Sequence, residues 1–573
     1  MAKYKIADTP AGSKTLLYIN PEDSREVRLH SIYDPLKESE RSAGSFNPGR
    51  SNLIIIAGLA LGYHAEYLRK RFPAHLIIII EKDAEVIQLA RLNNPGAIKD
   101  ISTVTSTADL PAVFEQIDIS TIKGASTYIH RPSYSLNREF YDAVLKGIKE
   151  YIGSKVSDLL TRFEFEENWI SHIFKNIHHV YTSTPVIELF GRFRGMPGII
   201  VSAGPSLKKN ARLLNSIRDR ALIVCVDTAF KVLHRMGVVP HIVMTLDSQK
   251  YSLKHFLGIM ESGSVLLADM VCYPRLVGSY PGEKILSTTT KYYSDKNGNV
   301  KRETTPIWDW MEEFTGAVGD IQSGGSVATS VFDLLLNLGC SSIVLLGQDL
   351  AYTGREIHCS GTYHNDEWLP KTSRFLNLET INQRVIRKRK IKYIEGYKGK
   401  GKVVTDFVFD IYRNWFRDSA ARVNIPVINA TEGGARIENT VETPLGEILQ
   451  STKTQPRTPD QILKAELGNK SGSIKKPVVL LDAVNKAIAA IEDIKRKTSS
   501  GISSDEEMLN IINNSFASKL ITPFLRRVFV YFARHPDLPQ QKASELLMNE
   551  LNATFAKLTR MLGMCKQNLQ KIR

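Results

Sequence analysis

Six short apolar runs, each closed by polar residues, dominate the middle of the chain: GIIVS, ALIVCVD, HIVMTLD, SVLLAD, SSIVLLGQD and PVINATEGG. Runs of this length, rich in Val and Ile, read as strands buried on both faces, as in a parallel sheet. Helical patterns lie between them. In SLKKNARLLNSI, Leu207, Ala211, Leu214 and Ile217 share one helical face, and TAFKVLHRMG ends on Gly237, a suitable residue just past a helix. The alternation predicts a doubly wound α/β domain. All strand ends of such a sheet lie on one edge, so Ser202, Asp227, Asp247, Asp269, Asp349 and Asn429 line one rim, where ligands of open α/β sheets bind.

The first strand runs into Gly204 and Pro205, then Ser206, Lys208 and Lys209. Pro suits the first position of a helix, and the N–H groups that follow carry the positive end of the helix dipole. The turn is therefore expected to cradle a phosphate, with Gly204 allowing close approach. A second glycine-bearing helix start, Ser323, Gly324, Gly325 and Ser326, repeats the idea, with Val327, Val331, Leu334 and Leu335 on its buried face. A Walker A loop is absent, which argues against ATP hydrolysis of that type. Asp227, at the next strand end, is placed to read a ribose or base.

With 573 residues the chain is too long for one core. The expected division is an N-terminal Rossmann-like α/β domain with a helical linker (1–180), the central domain (181–454) and a C-terminal helical domain (455–573). In the first, Gly58, Gly62 and Glu81 mark a strand, turn and helix unit that fits either a ligand-free Rossmann-like turn or one that reads a ribose. The last begins at a polar, Pro-containing linker. The segment from Ser451 onward carries 20 Lys or Arg against 11 Asp or Glu, hence +9 of the total of +15. Its helices read equally as a partner surface or as packing. The start of the chain has no apolar signal segment, and no run is long enough for a membrane span. Five cysteines without C-x-x-C spacing read as reduced thiols of a cytoplasmic protein. Nucleic-acid binding is not expected, because the basic tail lacks interleaved aromatics.

SAGPSL, VDTA, TLDSQ, SGGSVATSVFDLLLNLGCSSIVLLGQDLAYTGREIHCSG and VINATEGGARI resemble the motility-associated factor (Maf) family of bacterial flagellin glycosyltransferases. The resemblance implies a central glycosyltransferase domain similar to CMP-sialic acid-dependent sialyltransferases. It implies transfer of a nonulosonic acid, pseudaminic or legionaminic, from a CMP-activated donor to Ser or Thr of flagellin. The matched motifs imply donor contacts at Ser202, Ala203, Gly204, Pro205 and Ser206, where sialyltransferases hold the CMP phosphate. They extend to Asp227, Thr228, Asp247, the Ser323–Ser326 turn, Gly347, Gln348, Asn429, Thr431, Glu432 and Gly433. Sialyltransferases carry a histidine shortly before a Thr-Asp pair. Here Thr405 and Asp406 have none, so His358 and His364, with Asp349, are the candidate catalytic groups.

No Asp-x-Asp pair occurs, and the spacing of His358, Cys359, His364 and Asp366 fits no standard zinc pattern, so neither a metal nor a cofactor is expected beyond the donor. Two other readings stand. One is pyrophosphoryl transfer like that of an archaeal pterin pyrophosphokinase. The other is a non-enzymatic flagellin-binding scaffold.

Overall fold

The computed structural model describes residues 3–99, 101–115, 117–294, 299–467, 473–499 and 504–572. The chain packs as two compact units. One comprises Met1–Glu164, Ser294–Lys301 and Arg526–Leu547, and the other comprises Phe165–Tyr293, Arg302–Leu525 and Met548–Arg573. The C-terminal helices thus divide between the units, and the boundary at Glu164 falls inside one long helix, Arg138–Asn176.

In the first unit, β1 (Tyr4–Asp8), β2 (Lys14–Ile19) and β3 (Glu26–Arg28) form an antiparallel sheet. A parallel sheet follows, in the order β6 (Ser102–Val104), β5 (Leu76–Ile80), β4 (Leu53–Ala57) and β7 (Ala125–Ile129). The isoleucine runs of β4 and β5 split by strand alternation. Ile54, Ile56 and Ile79 enter one core, and Leu53, Ile55, Ile78 and Ile80 the other. Behind β4, Gly58 packs against Ser133 and His130, and Glu81 is buried and accepts the Leu59 N–H at 2.9 Å. The close approach that Gly58 permits is thus to the protein's own side chains.

The second unit is built on one large sheet. Its order is β14 (Val300–Glu303), β13 (Lys284–Ser294), β12 (Val265–Asp269), β11 (Ile242–Thr245), β10 (Leu222–Val226), β9 (Pro197–Val201), β16 (Ser342–Leu346), β19 (Val427–Asn429) and β20 (Val441–Glu442). β8 (Thr184–Pro185) and β15 (Asp320–Gln322) pair along β13. From β9 through β12, and from β16 through β20, every pairing is parallel. β10, β11 and β12 are buried along their whole length, as unbroken apolar strands must be when helices cover both faces. Each such Val, Ile or Leu contributes about 1.5–3 kcal/mol.

Between β16 and β19 the chain makes a long excursion. It carries a two-stranded antiparallel ribbon, β17 (Ile391–Glu395) and β18 (Lys402–Asp406), and returns through the helix Phe407–Arg422. Thr405 and Asp406 serve the fold here. Thr405 Oγ1 donates to the Leu350 carbonyl at 2.8 Å, and Asp406 caps the helix by accepting the Phe409 N–H at 2.8 Å. All five cysteines are buried and unpaired. Among the described residues no helix is long and apolar enough to cross a membrane.

Candidate functional site

Chain order reverses between β9 and β16, the position in an open α/β sheet where a crevice opens beyond the strand ends. In this structure the two strand ends are laced together. Ser202 Oγ donates to Gln348 Oε1, Gly204 N–H to the Gly347 carbonyl at 2.8 Å, and Ser206 Oγ to Asp349 Oδ1 at 2.6 Å. Asp349 is buried and also accepts the Ser206 N–H and the Thr353 hydroxyl. Burial pushes its carboxyl pKa up, and these donors and Lys209 pull it down. A Cβ on Gly204 would stand 2.1 Å from Asp349 Oδ1 and 2.4 Å from the Gly347 carbonyl. The close approach that this glycine permits is therefore to Asp349.

The helix expected after Pro205 is instead two 3-10 turns, Pro205–Lys209 and Ala211–Ser216. Leu207, Ala211, Leu214 and Ile217 are buried as their spacing predicts. The first turn is only five residues long and the Ser206 N–H already faces a carboxylate, so the dipole argument for a preformed phosphate cradle does not carry over to this geometry. Lys208 pairs with Glu356, and Lys209 donates to the Glu432 carbonyl at 2.9 Å.

The second glycine turn does start a helix, Val327–Asn337, with Ser326 as its N-cap. Its donors are mostly engaged locally. Gly324 N–H reaches Thr329 Oγ1 at 2.9 Å, and Gly325 N–H reaches Ser323 Oγ at 3.2 Å. A Cβ on Gly324 would stand 2.4 Å from the Trp415 ring nitrogen, so an indole occupies the near side of the turn.

Acids and histidines gather beyond β10 and β11. Asp227 opens the helix Asp227–Arg235. It accepts the Thr228 N–H at 2.6 Å and the Thr245 hydroxyl at 2.8 Å. Asp247 accepts the Gln249 N–H at 2.8 Å, and burial first, then Asp227, pushes its carboxyl pKa up. Deeper along the same edge, burial raises the carboxyl of Asp269 to about 6. His358 and His364 stack with ring centres 5.1 Å apart, and His255 meets His364 edge-on at 5.5 Å. Burial and the neighbouring rings push His358 down to about 3. His364 is lowered by burial and His255, while Glu367 and Asp227 act the other way.

The loop that carries the histidines is strapped on two sides. Cys359 N–H donates to the Ala203 carbonyl at 2.8 Å, which ties it to the β9 turn. Arg235 donates to the Gly361 carbonyl and pairs with Asp366, which ties it to the Asp227 helix. His255 is the site residue the sequence reading missed. It closes a short 3-10 turn, Lys250–His255, that follows TLDSQ and has no spacing signature of its own.

On the other flank, Thr431 accepts the Gln348 N–H at 3.2 Å and donates its own N–H to Asn429 Oδ1 at 3.1 Å. The Asn429 side-chain amide nitrogen is buried without an acceptor. Glu432 is held by Asn210 and the Leu445 N–H, and Gly433 sits against Ser206 and Lys209. The edge thus brings together the β9, β16 and β19 termini, Asp227, Asp247 and three histidines. The Ser323–Ser326 turn is packed instead against Trp415 and its own helix.

Residues 171–355 match the family model described as 6-hydroxymethylpterin diphosphokinase MptE-like. Two proteins of Treponema pallidum (strain Nichols), each named only as an uncharacterized protein, are similar in sequence. One is 24% identical over 266 residues, 44% of this chain and 45% of that protein. The other is 23% identical over 223 residues, 38% of this chain and 74% of that protein. The chain thus spans less than half the length of the first of them. A solved structure titled MAf glycosyltransferase from Magnetospirillum magneticum AMB-1 superposes with a TM-score of 0.53 at 14% identity, covering 100% of this chain and 93% of that one. The chain therefore has the fold of that structure along its whole length, with a central region similar to the MptE-like family.

Proposed function

We propose that this protein is a glycosyltransferase that moves a nonulosonic acid from a CMP-activated donor to Ser or Thr hydroxyls of a protein, flagellin being the acceptor the Maf resemblance implies. The observation that carries the reading is the stacked His358–His364 pair, strapped through Cys359 to the turn after β9, the strand that borders the reversal point of the sheet. In the proposed step, the acceptor oxygen forms a bond to the anomeric carbon. The bond from that carbon to the CMP phosphate oxygen breaks, CMP leaves with the bonding pair, and the hydroxyl proton passes to a histidine.

At rest the depressed pKa keeps His358 neutral, able to accept a proton but weakly basic. A donor bearing a phosphodiester and a carboxylate brings negative charge beside His358 and His364, which strengthens them as bases when substrate is bound. Asn429, with a buried unpaired donor, is available to a ligand carbonyl or hydroxyl.

Calorimetry with CMP, followed by mass spectrometry of a Ser/Thr peptide incubated with a CMP-nonulosonic acid, tests the proposal. Micromolar CMP binding and a mass gain of one sugar are expected. Binding of Mg·ATP in place of CMP would favour the second reading, diphosphoryl transfer, which the MptE-like match over 171–355 supports.

A further inference from the structure

The excursion between β16 and β19 concentrates charge more densely than the C-terminal tail. Residues 371–402 hold eleven Lys or Arg against two Glu, a net +9 in 32 positions. Among the described residues Lys392, paired with Asp410, is the one of the eleven in an ion pair. Arg387, Lys388, Arg389 and Lys390 run consecutively, all exposed, from the end of the helix Leu378–Arg387 toward β17. Two rings of the same excursion are unusually exposed, Phe375 at 88% before that helix and Tyr393 at 65% within β17.

β17 also has an open edge. Tyr393 faces Val404 and Lys392 faces Thr405 across the antiparallel pair. The Val404 carbonyl points away from β17, because it accepts the Tyr352 N–H at 2.8 Å. Facing residues of an antiparallel pair share this orientation, so the N–H and C=O of Tyr393, and of Ile391 two residues before it, point to the side without a partner strand. At the far end of the same side, the Glu395 carbonyl accepts the Arg436 N–H at 2.9 Å, which shows that this edge takes a main-chain partner. No third strand joins this ribbon among the described residues.

We infer that the β17 edge and its basic flank dock an extended, acidic polypeptide segment as an added strand. Main-chain pairing with Ile391 and Tyr393 supplies the polypeptide recognition, and the unpaired cations select acidic side chains. Lysines on an edge also deter pairing between copies of the same basic edge. A nucleic acid or an anionic membrane would use the charges but not the backbone edge. The surface adjoins the histidine loop, because the buried Asn382 of the basic helix accepts the Ile357 N–H at 3.0 Å, one residue before His358. The inference concerns binding alone and stands whether or not the site transfers a sugar.

The test uses the full-length protein and fluorescence anisotropy, with no sugar nucleotide present. The probe is a labelled short peptide alternating Glu with Thr and Val. A peptide with Lys in place of Glu, an oligo(dT) strand and phosphatidylserine vesicles serve as comparisons. The acidic peptide should bind at least about tenfold tighter than the Lys peptide and weaken with salt. The triple variant Lys388→Ser, Arg389→Ser, Lys390→Ser should weaken peptide binding about tenfold or more. Tyr393→Pro, which removes an outward N–H and leaves the pairing with β18, should weaken peptide binding without changing any binding of oligo(dT). Peptide affinity unchanged in the triple variant overturns the proposal, as does unchanged affinity in a folded Tyr393→Pro variant. Preference for oligo(dT) or vesicles over the acidic peptide overturns it too. If Tyr393→Pro fails to fold, the triple variant, confined to exposed side chains, decides alone.

Discussion

Asp349 accepts both the backbone N–H and the hydroxyl of Ser206, a residue 143 positions earlier, and so joins the ends of β16 and β9. Ser206→Ala removes a hydrogen bond to a buried carboxylate. It should cost about 1.5–3 kcal/mol, read as a lower urea midpoint with an unchanged slope. A loss within error would show that the pair is incidental to folding.

Gly204→Ala should be destabilised by about 1–3 kcal/mol or more, because the added methyl meets the Gly347 carbonyl and Asp349 rather than open space. Gly446→Ala, inside the helix Leu445–Ser451 with nothing within 4 Å of the new methyl, is the control and should match or slightly exceed the parent. Equal melting temperatures for all three proteins would contradict the close approach described at Gly204.

Asp269 offers a pH test. Its folded pKa, raised to about 6 by burial, lies above the ordinary value of 3.8. A carboxyl raised in this way favours the fold fully below the unfolded pKa, and that share is lost as pH climbs through about 6. Asp269→Asn cannot ionise, and its amide can still serve the Val271 N–H and the Thr289 hydroxyl. The variant should gain on the parent between pH 4 and 7.5 by on the order of 2–3 kcal/mol. Parallel stability curves across that range would refute the assignment.

His358→Asn and His364→Asn should each lower the transfer rate about 100-fold or more while CMP affinity stays within about threefold, as expected of groups that move a proton. His255→Asn should act more mildly, through the orientation of His364, and shift the acid limb of the pH profile. Equal losses of CMP affinity and rate would make the histidines binding groups instead.

Much of the sheet was legible because buried parallel strands advertise themselves as apolar runs, and their ends as Ser202, Asp227, Asp247 and Asp349. The burial of Leu207, Ala211, Leu214 and Ile217 was legible too, but not the type of turn. A 3-10 path and an α-helix bury nearly the same residues over so short a span, and the choice was made by Asp349, a distant partner that local spacing does not reveal. His255 was invisible for a similar reason, since its meaning comes from a ring on another loop. Charge misled through the window chosen: counted from Ser451 the tail looked like the basic region, although 371–402 carries the same excess in far fewer residues.

The excursion after β16 begins and ends at one place. Tyr352 N–H meets the Val404 carbonyl, Tyr352 Oη donates to Asp406, and Thr405 Oγ1 holds the Leu350 carbonyl, so both strands of chain are stapled where they leave and rejoin the domain. Closing a loop whose ends are already fixed costs only about 0.6 kcal/mol for each doubling of its length. Evolution, or an engineer, can therefore recharge the exposed run from Arg387 to Lys390 while the staple and Asn382 hold the rest of the excursion in place. A docking surface of the kind proposed can then drift in charge while the histidine loop beside it stays put.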